Sequence, residues 1–282
     1  MIPALMPART CACIRFARDQ APRYGAPAMN VTVCVKQIPD PNQNYELVDG
    51  RLKRDVAQSV LDPGDEFGVE TALKLTEASG GEVTVVSMGP AKAMEAVRRA
   101  LSMGAAKGIL VTDDALAGAD ALATATVLAA AIKRNPFDLV ICGVESTDGY
   151  TGVVPSMLAE LLGVPQATFV KHLELDGDTL KIQRQTTRGY DVVTCPLPAV
   201  MTVTAGVNEP RYPTFKGIMQ AKSKPVEELS LGDLGLSGDD AKATQSVAGV
   251  NPAPARGAGE IVADDGSGAA KIADFLKEAK VI

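Results

Sequence analysis

The fold is decided by residues 138–152, which read DLVICGVESTDGYTG. Within the first five residues, which predict a strand, Leu139–Ile141 form a continuous apolar run of the kind found in strands that are covered on both faces. The next ten, 143–152, carry three glycines, three short hydroxyl side chains and two acids. Residues 153–162 then show a helical pattern that ends at Gly163. This stretch therefore predicts a strand, a polar loop and a helix, which is the repeating unit of a parallel α/β sheet.

The same unit repeats before and after this stretch. We predict further strands at 31–35, 82–88, 108–111 and 166–170, and helices at 62–79, 91–103 and 119–133. Asp62 is the predicted N-cap of the first helix, whose inward stripe consists of Val69, Ala72, Leu73 and Thr76. Strands separated by helices of this length require parallel crossovers. The predicted fold is a Rossmann-like α/β fold with a doubly wound, mostly parallel sheet.

The pattern changes in the last third of the chain. Segments 171–175 and 179–185 flank the turn Asp176-Gly177-Asp178, which predicts a hairpin, and further strands are expected at 190–194 and 199–204. The main domain is predicted to span residues 29–236. Residues 237–282 read as an Ala/Gly/Pro/Ser-rich tether with a docking helix at 270–281. Residues 1–28 lack periodicity and are interpreted as a disordered leader or as a misassigned start before Met29.

The composition argues against several classes of function. A net charge of −6, 4% aromatic residues and no Trp disfavour a nucleic-acid partner. The longest apolar stretch, 122–132, is too short for direct membrane insertion. His172 is the only histidine, which excludes His-based triads and His-pair metal sites. We therefore expect no metal and no catalytic residues. The five cysteines show no C-x-x-C pair and no disulfide framework. They are Cys11, Cys13, Cys34, Cys142 and Cys195.

The loop at 143–152 is the best candidate for a ligand site. In an open parallel sheet, ligands bind beyond the carboxyl ends of the strands, at the point where the strand order reverses. Glycines allow the backbone to approach a ligand, and hydroxyls and free N–H groups at a helix start suit phosphate. The carboxylates suit ribose hydroxyls or a base edge. The absence of G-x-G-x-x-G after the first strand and of a P-loop disfavours a classical dehydrogenase or a P-loop NTPase.

A second notable segment, residues 208–222, reads NEPRYPTFKGIMQAK. Its two prolines frame a rigid turn, and Pro213 can start a short helix. Two interpretations stay open for Phe215, Ile218 and Met219. They either pack on the core or form an exposed apolar and basic surface for protein docking.

Together these segments resemble the beta subunit of electron transfer flavoprotein, in a bacterial, actinobacterial-like form. The likeness covers residues 29–239, with a recognisable arm beyond them. It rests on Val33-Cys34-Val35-Lys36-Gln37-Ile38-Pro39, on DPGDE at 62–66, on SMGP at 87–90, on the loop ending in Thr151-Gly152, and on LPAV at 197–200 followed by NEPRYP at 208–213.

The resemblance implies an adenine-nucleotide-binding subunit of a cytoplasmic heterodimer with an alpha subunit. AMP belongs to the beta subunit, while one FAD per heterodimer is bound mainly by alpha. Electrons arrive from acyl-CoA and related dehydrogenases and leave to a membrane-bound quinone oxidoreductase. The chain itself is then an electron carrier subunit and not an enzyme.

Family positions carry over to this sequence in two groups. The AMP contacts fall on Cys34, Asp62, Pro63, Gly64, Asp65, Met88, Gly143, Val144, Glu145, Ser146, Thr147, Asp148, Gly149, Tyr150 and Thr151. The partner contacts fall on Glu209, Pro210, Arg211, Tyr212, Phe215, Ile218 and Met219, within a recognition loop at 208–221, and Phe215 is the expected anchor. Many members carry an acid at the position of Gln185, which helps to hold the flavin domain of alpha. We do not expect that contact in the same form here.

Three alternatives are open. FAD can replace AMP in the beta subunit of a bifurcating flavoprotein. A nucleotide-binding module resembling universal stress proteins shares this layout, but would need neither segment 208–221 nor a docking arm. A nucleotidyl transferase or hydrolase is disfavoured, because the chain has no P-loop and a single histidine.

Overall fold

The computed structural model describes residues 28–48, 51–54, 58–250, 259, 261–262 and 264–282. Apart from Ala28, the predicted leader lies outside the described residues, as do Cys11 and Cys13 and part of the predicted tether. The described residues belong to two compact units, which divide between Ala248 and Gly249. No helix among the residues described is both long and apolar enough to cross a membrane.

The first unit is built on a nine-stranded sheet. In chain order, the described strands are β1 (Met29–Cys34), β2 (Gln37–Pro39), β3 (Leu47–Val48), β4 (Arg51–Leu52), β5 (Ser59–Leu61), β6 (Gly81–Met88), β7 (Lys107–Val111), β8 (Leu139–Gly143), β9 (Gln166–Asp176), β10 (Thr179–Thr186), β11 (Gly189–Pro196), β12 (Ala199–Val203) and β13 (Val226–Leu229). The sheet order is β11-β10-β9-β12-β8-β1-β6-β7-β13, and β2–β5 and β3–β4 form separate pairs. In the part of this order that runs β9-β12-β8-β1-β6-β7-β13, each strand is parallel to its neighbours. The β10 strand pairs antiparallel with both β9 and β11. This confirms the doubly wound, mostly parallel sheet.

Helices cover both faces of the sheet. In the first unit they are α1 (Pro63–Ser79), α2 (Met94–Met103), α3 (Ala121–Lys133), α4 (Val154–Leu162) and α5 (Phe215–Ala221). The second unit contains the helix α6 (Gly268–Glu278). On β8, Leu139 and Ile141 join the core under α1 and α2, while Val140 and Cys142 join the core under α3 and α4. Successive strand residues point to opposite faces, so a strand between two helical layers must be apolar throughout.

The strand order reverses between β1 and β8. The chain moves from β1 to β6 and β7 on one side, and then returns to place β8 on the other side of β1. The helices that follow these strands diverge at this point, which leaves a crevice at the carboxyl ends of β1 and β8. The loop at 143–152 follows β8 and therefore opens onto this crevice.

Most predicted elements occur near their predicted bounds. Asp62 caps α1 by accepting the Gly64 N–H, and the predicted inward residues Val69, Ala72 and Leu73 are buried. The predicted strands 166–170 and 171–175 are one strand, β9. A register shift against β12 and the positive φ of 55° at Phe169 mark where β9 stops following β12 and pairs only with β10. Such an irregularity lets one strand serve two partners of opposite direction.

Several elements differ from the sequence-based expectation. Strand β13 is absent from the prediction because Glu227 and Glu228 are exposed on the sheet edge and hide the strand pattern. Helix α5 begins at Phe215 rather than at Pro213, since the Thr214 hydroxyl caps it through the Gly217 N–H at 3.0 Å. Helix α6 runs Gly268–Glu278 rather than 270–281.

The first unit extends beyond the predicted domain end at residue 236. Ala241 is buried in the core under α3 and α4. The Asp120 carboxylate accepts the backbone N–H groups of Thr244 and Gln245 at 2.6 and 3.0 Å, while also capping α3. A single carboxylate thus ties this segment to the start of α3, and the two units divide only after Ala248.

Candidate functional site

Asp62 joins the two loops that meet in the crevice. Its Oδ1 atom accepts the Gly64 N–H at 2.9 Å and the Thr147 hydroxyl at 2.8 Å, and its Oδ2 atom accepts the Thr147 N–H at 2.6 Å. The residue has no solvent exposure. The carboxylate that caps α1 therefore also fixes the loop after β8.

Asp65 lies one turn further along and contacts the end of β1. Its Oδ2 atom accepts the Lys36 N–H at 2.8 Å, and a Cβ atom on Gly143 would lie 3.0 Å from its Oδ1 atom. Burial raises the pKa of Asp65 well above its ordinary value, and the charge of Asp62 adds to the rise. The N–H groups of Lys36 and Gly143 and the charge of Lys36 oppose it. Gly143 thus leaves room for a buried carboxyl group between two strand ends.

Asp148 lies in the middle of the loop and is held by two cations. Lys36 Nζ lies 2.6 Å from Oδ1 and Arg54 Nε lies 2.6 Å from Oδ2, and the Asp148 side chain is fully buried. Lys36 Nζ also donates to the Ser146 hydroxyl at 3.2 Å. Burial alone would raise the pKa of Asp148, but Lys36 and Arg54 together hold it below its ordinary value.

These ion pairs add two residues that the sequence analysis did not select. Lys36 lies two residues after the end of β1, at the switch point. A lysine at this position could have been predicted as a partner for the carboxylates of the loop after β8. Arg54 lies in a short described segment, 51–54, without a clear periodic pattern, and no local signal points to it. Because both Asp148 oxygens already accept from cations, Asp148 supports the loop. Its expected contact with a ligand stays a prediction.

The tip of the loop is shaped by glycine. The Tyr150 N–H donates to the Ser146 carbonyl at 2.9 Å, and Tyr150 itself has a positive φ of 48°. A Cβ atom on Gly149 would lie 2.9 Å from the Ser146 Oγ atom. Glu145, Tyr150 and Thr151 are exposed at this tip. The loop therefore combines a buried, hydrogen-bonded base with an open polar edge.

The remaining predicted site residues lie at strand ends or in the first turn of α1. Pro63 and Gly64 begin α1, and Cys34 and Met88 end β1 and β6. A hydrogen bond with Cys34 and burial raise the pKa of the Cys142 thiol well above its ordinary value. Cys34 and Met88 pack against the core under α3 and α4. The geometry brings Asp62, Asp65 and the loop together through direct contacts, whereas Cys34 and Met88 contact the core instead.

Helix α5 leaves its apolar side chains in solvent. It packs on α2 through its smallest residues: Ala221 is buried, and a Cβ atom on Gly217 would lie 2.5 Å from the Ser102 carbonyl oxygen. Phe215 is 81% exposed and Tyr212 is 88% exposed, and Ile218 and Met219 are also exposed. The structure therefore rules out packing of these side chains on the core of the described chain, and their docking role stays a prediction. We call Tyr212, Phe215, Ile218 and Met219 the apolar patch.

Lysine and arginine side chains hold the two ends of the segment that carries the apolar patch. Lys224 Nζ donates to the Leu101 and Ala105 carbonyls at 2.9 and 2.6 Å, at the carboxyl end of α2. Arg211 contacts Glu70 and Glu77 of α1. A groove of about 280 Å³ runs beside the patch, between the end of α2 and α5. Within the described part of the chain, no cluster of His, Cys, Asp and Glu has the arrangement of a metal site.

Comparison with known proteins agrees on one family. The family described as "Electron transfer flavoprotein domain" matches residues 50–234. "Electron transfer flavoprotein subunit beta" of Mycobacterium tuberculosis is 42% identical over 264 residues, which cover 90% of this chain and 99% of that protein. The protein of the same name from Bacillus subtilis is 34% identical over 257 residues, covering 90% and 100%. "Caffeyl-CoA reductase-Etf complex subunit CarD" of Acetobacterium woodii is 37% identical over 241 residues, covering 83% and 92%.

Proposed function

Because the chain belongs to the electron transfer flavoprotein beta subunit family, we propose that it works in a heterodimer with an alpha subunit and binds AMP in the crevice between β1 and β8. One FAD per heterodimer is held mainly by the alpha subunit. The observation that supports the AMP site is the Asp62 carboxylate, which locks the start of α1 to the loop after β8. These two segments form opposite walls of the switch-point crevice.

The residues around the crevice fit an adenine mononucleotide. Helix α4 starts after Thr151 and Gly152, and Val153 provides no side-chain cap for its first N–H groups. Uncapped N–H groups and the positive end of a helix suit a phosphate. The exposed carboxylate of Glu145 offers acceptors for ribose hydroxyls. Gly149 lies directly against the Ser146 hydroxyl, where a Cβ atom would be only 2.9 Å from the oxygen, so the lack of a side chain at this position fixes the shape of the loop.

AMP has a structural role in this proposal. Bound to the folded chain and not to the unfolded chain, it stabilises the loop at 143–152 by mass action. The single histidine, His172, lies on β9 beside Glu174 and outside the crevice and the patch. FAD supplies the electron-transfer chemistry when it is bound, and this chain contributes binding, orientation and docking.

The apolar patch is the proposed docking surface for acyl-CoA and related dehydrogenases. Exposed aromatic side chains on a rigid support are typical anchors of protein interfaces. Helix α6 exposes Ile272 and Phe275, and we propose that it docks on the alpha subunit. Electrons pass from the dehydrogenases through the heterodimer to a membrane-bound quinone oxidoreductase, and the heterodimer acts in the bacterial cytoplasm.

The nucleotide content of the purified heterodimer tests the AMP site. The chain is co-expressed with its alpha subunit, the complex is extracted with acid, and AMP and flavin are quantified by chromatography. We expect one AMP and one FAD per heterodimer. Two FAD and no AMP would overturn the AMP assignment in favour of the bifurcating type.

A pair of glycine variants locates the nucleotide in the crevice. In Gly149→Ala, the new methyl group meets the Ser146 hydroxyl at 2.9 Å, so retained AMP should fall by about tenfold. Gly238→Ala is the control, because its methyl group would lie at an ordinary 3.7 Å from Ala115. Equal AMP in both variants would place the nucleotide elsewhere.

A further inference from the structure

The guanidinium of Arg211 forms its hydrogen bonds within this chain, with two glutamates of α1. Its Nε and Nη2 atoms donate to the two oxygens of Glu70 at 2.7 and 3.1 Å, and Nη1 and Nη2 donate to the two oxygens of Glu77 at 2.5 and 3.1 Å. The Arg211 backbone N–H also donates to Glu70, at 3.2 Å. Two bidentate pairs leave this side chain with one fixed orientation. We call these contacts the arginine clamp.

The two acids of the clamp have different surroundings. Glu70 is 2% exposed, whereas the Glu77 side chain lies mostly in solvent. The nearest other cation to Glu70 is Lys74, at 3.7 Å. A buried carboxylate without a well-placed cation is strongly unfavourable, so the fold holds Arg211 in place. The hydrogen bonds with Glu77 and Glu70 raise the pKa of Arg211, and the Arg211 side chain lowers the pKa of Glu77.

Asn208 attaches the same segment to the same helix face. Its amide nitrogen donates to the Phe67 carbonyl at 3.1 Å and to the Thr71 hydroxyl at 2.6 Å. Positions 67, 70, 71, 74 and 77 share one face of α1, because residues three and four apart are neighbours on a helix. The segment 208–211 therefore lies along α1 and is bonded to it at both ends.

The apolar patch begins directly after the clamp. Tyr212 is the next residue and is exposed, and Phe215 opens α5 three residues later. On the far side of α5, Lys224 is bonded to the end of α2. The patch thus lies between two anchoring points, and its exposed side chains make few contacts that could orient it by themselves.

We propose that Arg211 is a positioning residue for the docking surface and does not contact the dehydrogenase. This inference rests on the proposed docking role of the patch. It revises the prediction that Arg211 binds the partner, because four of its five guanidinium N–H donors are engaged with Glu70 and Glu77. Pre-orientation of the patch lowers the entropy that is lost on docking, so loosening the clamp weakens docking without changing the contact residues.

The main test uses Arg211→Lys in the heterodimer with alpha. Lysine keeps the charge but cannot form two bidentate pairs. We expect faster amide hydrogen exchange across residues 212–219. We also expect KM for the heterodimer, as electron acceptor of an acyl-CoA dehydrogenase, to rise by about tenfold with kcat and the flavin and nucleotide contents unchanged. Unchanged exchange and unchanged KM would overturn the proposal.

Two further variants separate positioning from direct contact. Glu77→Gln removes half of the clamp at an exposed position, so it keeps the test available even if Arg211→Lys folds poorly. Like Arg211→Lys, it should raise both the amide exchange rate across residues 212–219 and KM. Because the two residues act through the same contact, the double variant Glu77→Gln/Arg211→Lys should have an exchange rate and a KM close to those of Arg211→Lys alone. A large effect of Arg211→Lys with none of Glu77→Gln would mean that Arg211 contacts the partner.

Two controls separate this proposal from the docking role itself. Lys216→Ala removes an exposed cation from α5 without touching the clamp, and we expect hydrogen exchange at 212–219 to stay unchanged. Phe215→Ala tests the docking role directly. If Phe215→Ala leaves KM unchanged, the docking role is wrong, while hydrogen exchange in Arg211→Lys still tests the clamp.

Discussion

In globular proteins, charged side chains usually lie on the surface and apolar side chains in the core. The crevice at β1 and β8 departs from this rule because it buries charged groups, and the apolar patch departs from it because it exposes apolar ones. In the crevice, the carboxylates of Asp62, Asp65 and Asp148 are buried. In the patch, the rings of Tyr212 and Phe215 lie in solvent. Scattered exposed apolar residues are common, but a buried cluster of charges or an apolar cluster on the surface needs an explanation.

The two regions also differ in what their residues do for the fold. Each buried carboxylate of the crevice accepts hydrogen bonds from another segment, so the crevice residues hold the fold and shape the site together. The patch residues touch little, because α5 packs through Gly217 and Ala221. Substitutions in the crevice should therefore change stability and binding together, and substitutions in the patch should change docking alone.

The largest expected effect is that of Asp62→Ala. It removes the N-cap of α1 and leaves the Thr147 N–H and hydroxyl without their acceptor. The loss of a cap and of a buried acceptor together should lower the free energy of unfolding by about 3 kcal/mol. Urea denaturation of the purified chain measures this, and retained AMP should fall at the same time.

Asp113→Ala is the matched control for this prediction. Asp113 also caps a helical turn, through the Ala115 N–H at 3.0 Å, and its only bond to a distant segment of the described chain is a long one from the Leu231 N–H at 3.3 Å; it lies outside the crevice. Its replacement should cost about 1 kcal/mol. If both variants lose the same stability, the link between α1 and the loop contributes nothing beyond an ordinary cap.

Much of the crevice could be predicted from the sequence because its parts are local patterns. The sequence Asp62-Pro63 before an apolar stripe indicates a helix start, and the apolar run before Gly143 indicates a buried strand. Parallel strands place their carboxyl ends at one edge, so both loops were expected to meet there. The structure confirms the cap, the strands and the sheet.

The ion pairs could not be predicted in the same way. Arg54 and Asp148 are 94 residues apart, and Arg211 and Glu70 are 141 apart. Neither pair follows from a helical or strand period, which relates only near neighbours. The exposure of the patch could not be predicted either, because the sequence pattern of α5 does not tell which side of the helix faces the core. A helix that packs through Gly217 and Ala221 has the same apolar pattern as one that packs through Phe215 and Ile218.

The second prediction concerns pH and separates two acids of the crevice. The pKa of Asp65 is raised well above its ordinary value of 3.8, so the folded chain holds that proton more tightly than the unfolded chain. Its contribution to stability is present below pH 3.8 and is lost as the pH rises through the raised pKa. The pKa of Asp148 is lowered, so its contribution is present above 3.8 and is lost as the pH falls through the lowered pKa.

Asp65→Asn and Asp148→Asn should therefore show opposite trends. The stability of each variant relative to wild type is measured by urea denaturation between about pH 3 and pH 8. As the pH rises, Asp65→Asn should gain relative to wild type and Asp148→Asn should lose. Phe215→Ala is the control from the patch, and its difference from wild type should not change with pH. Parallel trends for the two acids would show that they share one environment.

The smallest expected effect on stability is that of Phe215→Ala. Because the ring is 81% exposed, its removal should change the free energy of unfolding by less than about 0.5 kcal/mol. Phe137→Ala, where the ring packs against the core under α3 and α4, should cost about 2 kcal/mol in the same urea assay. In steady-state assays with an acyl-CoA dehydrogenase, Phe215→Ala should raise KM by about thirtyfold, the effect of losing a binding hot spot, with flavin content unchanged. A stability loss as large as that of Phe137→Ala would mean that Phe215 belongs to the core, and the contrast between the two regions would then be lost.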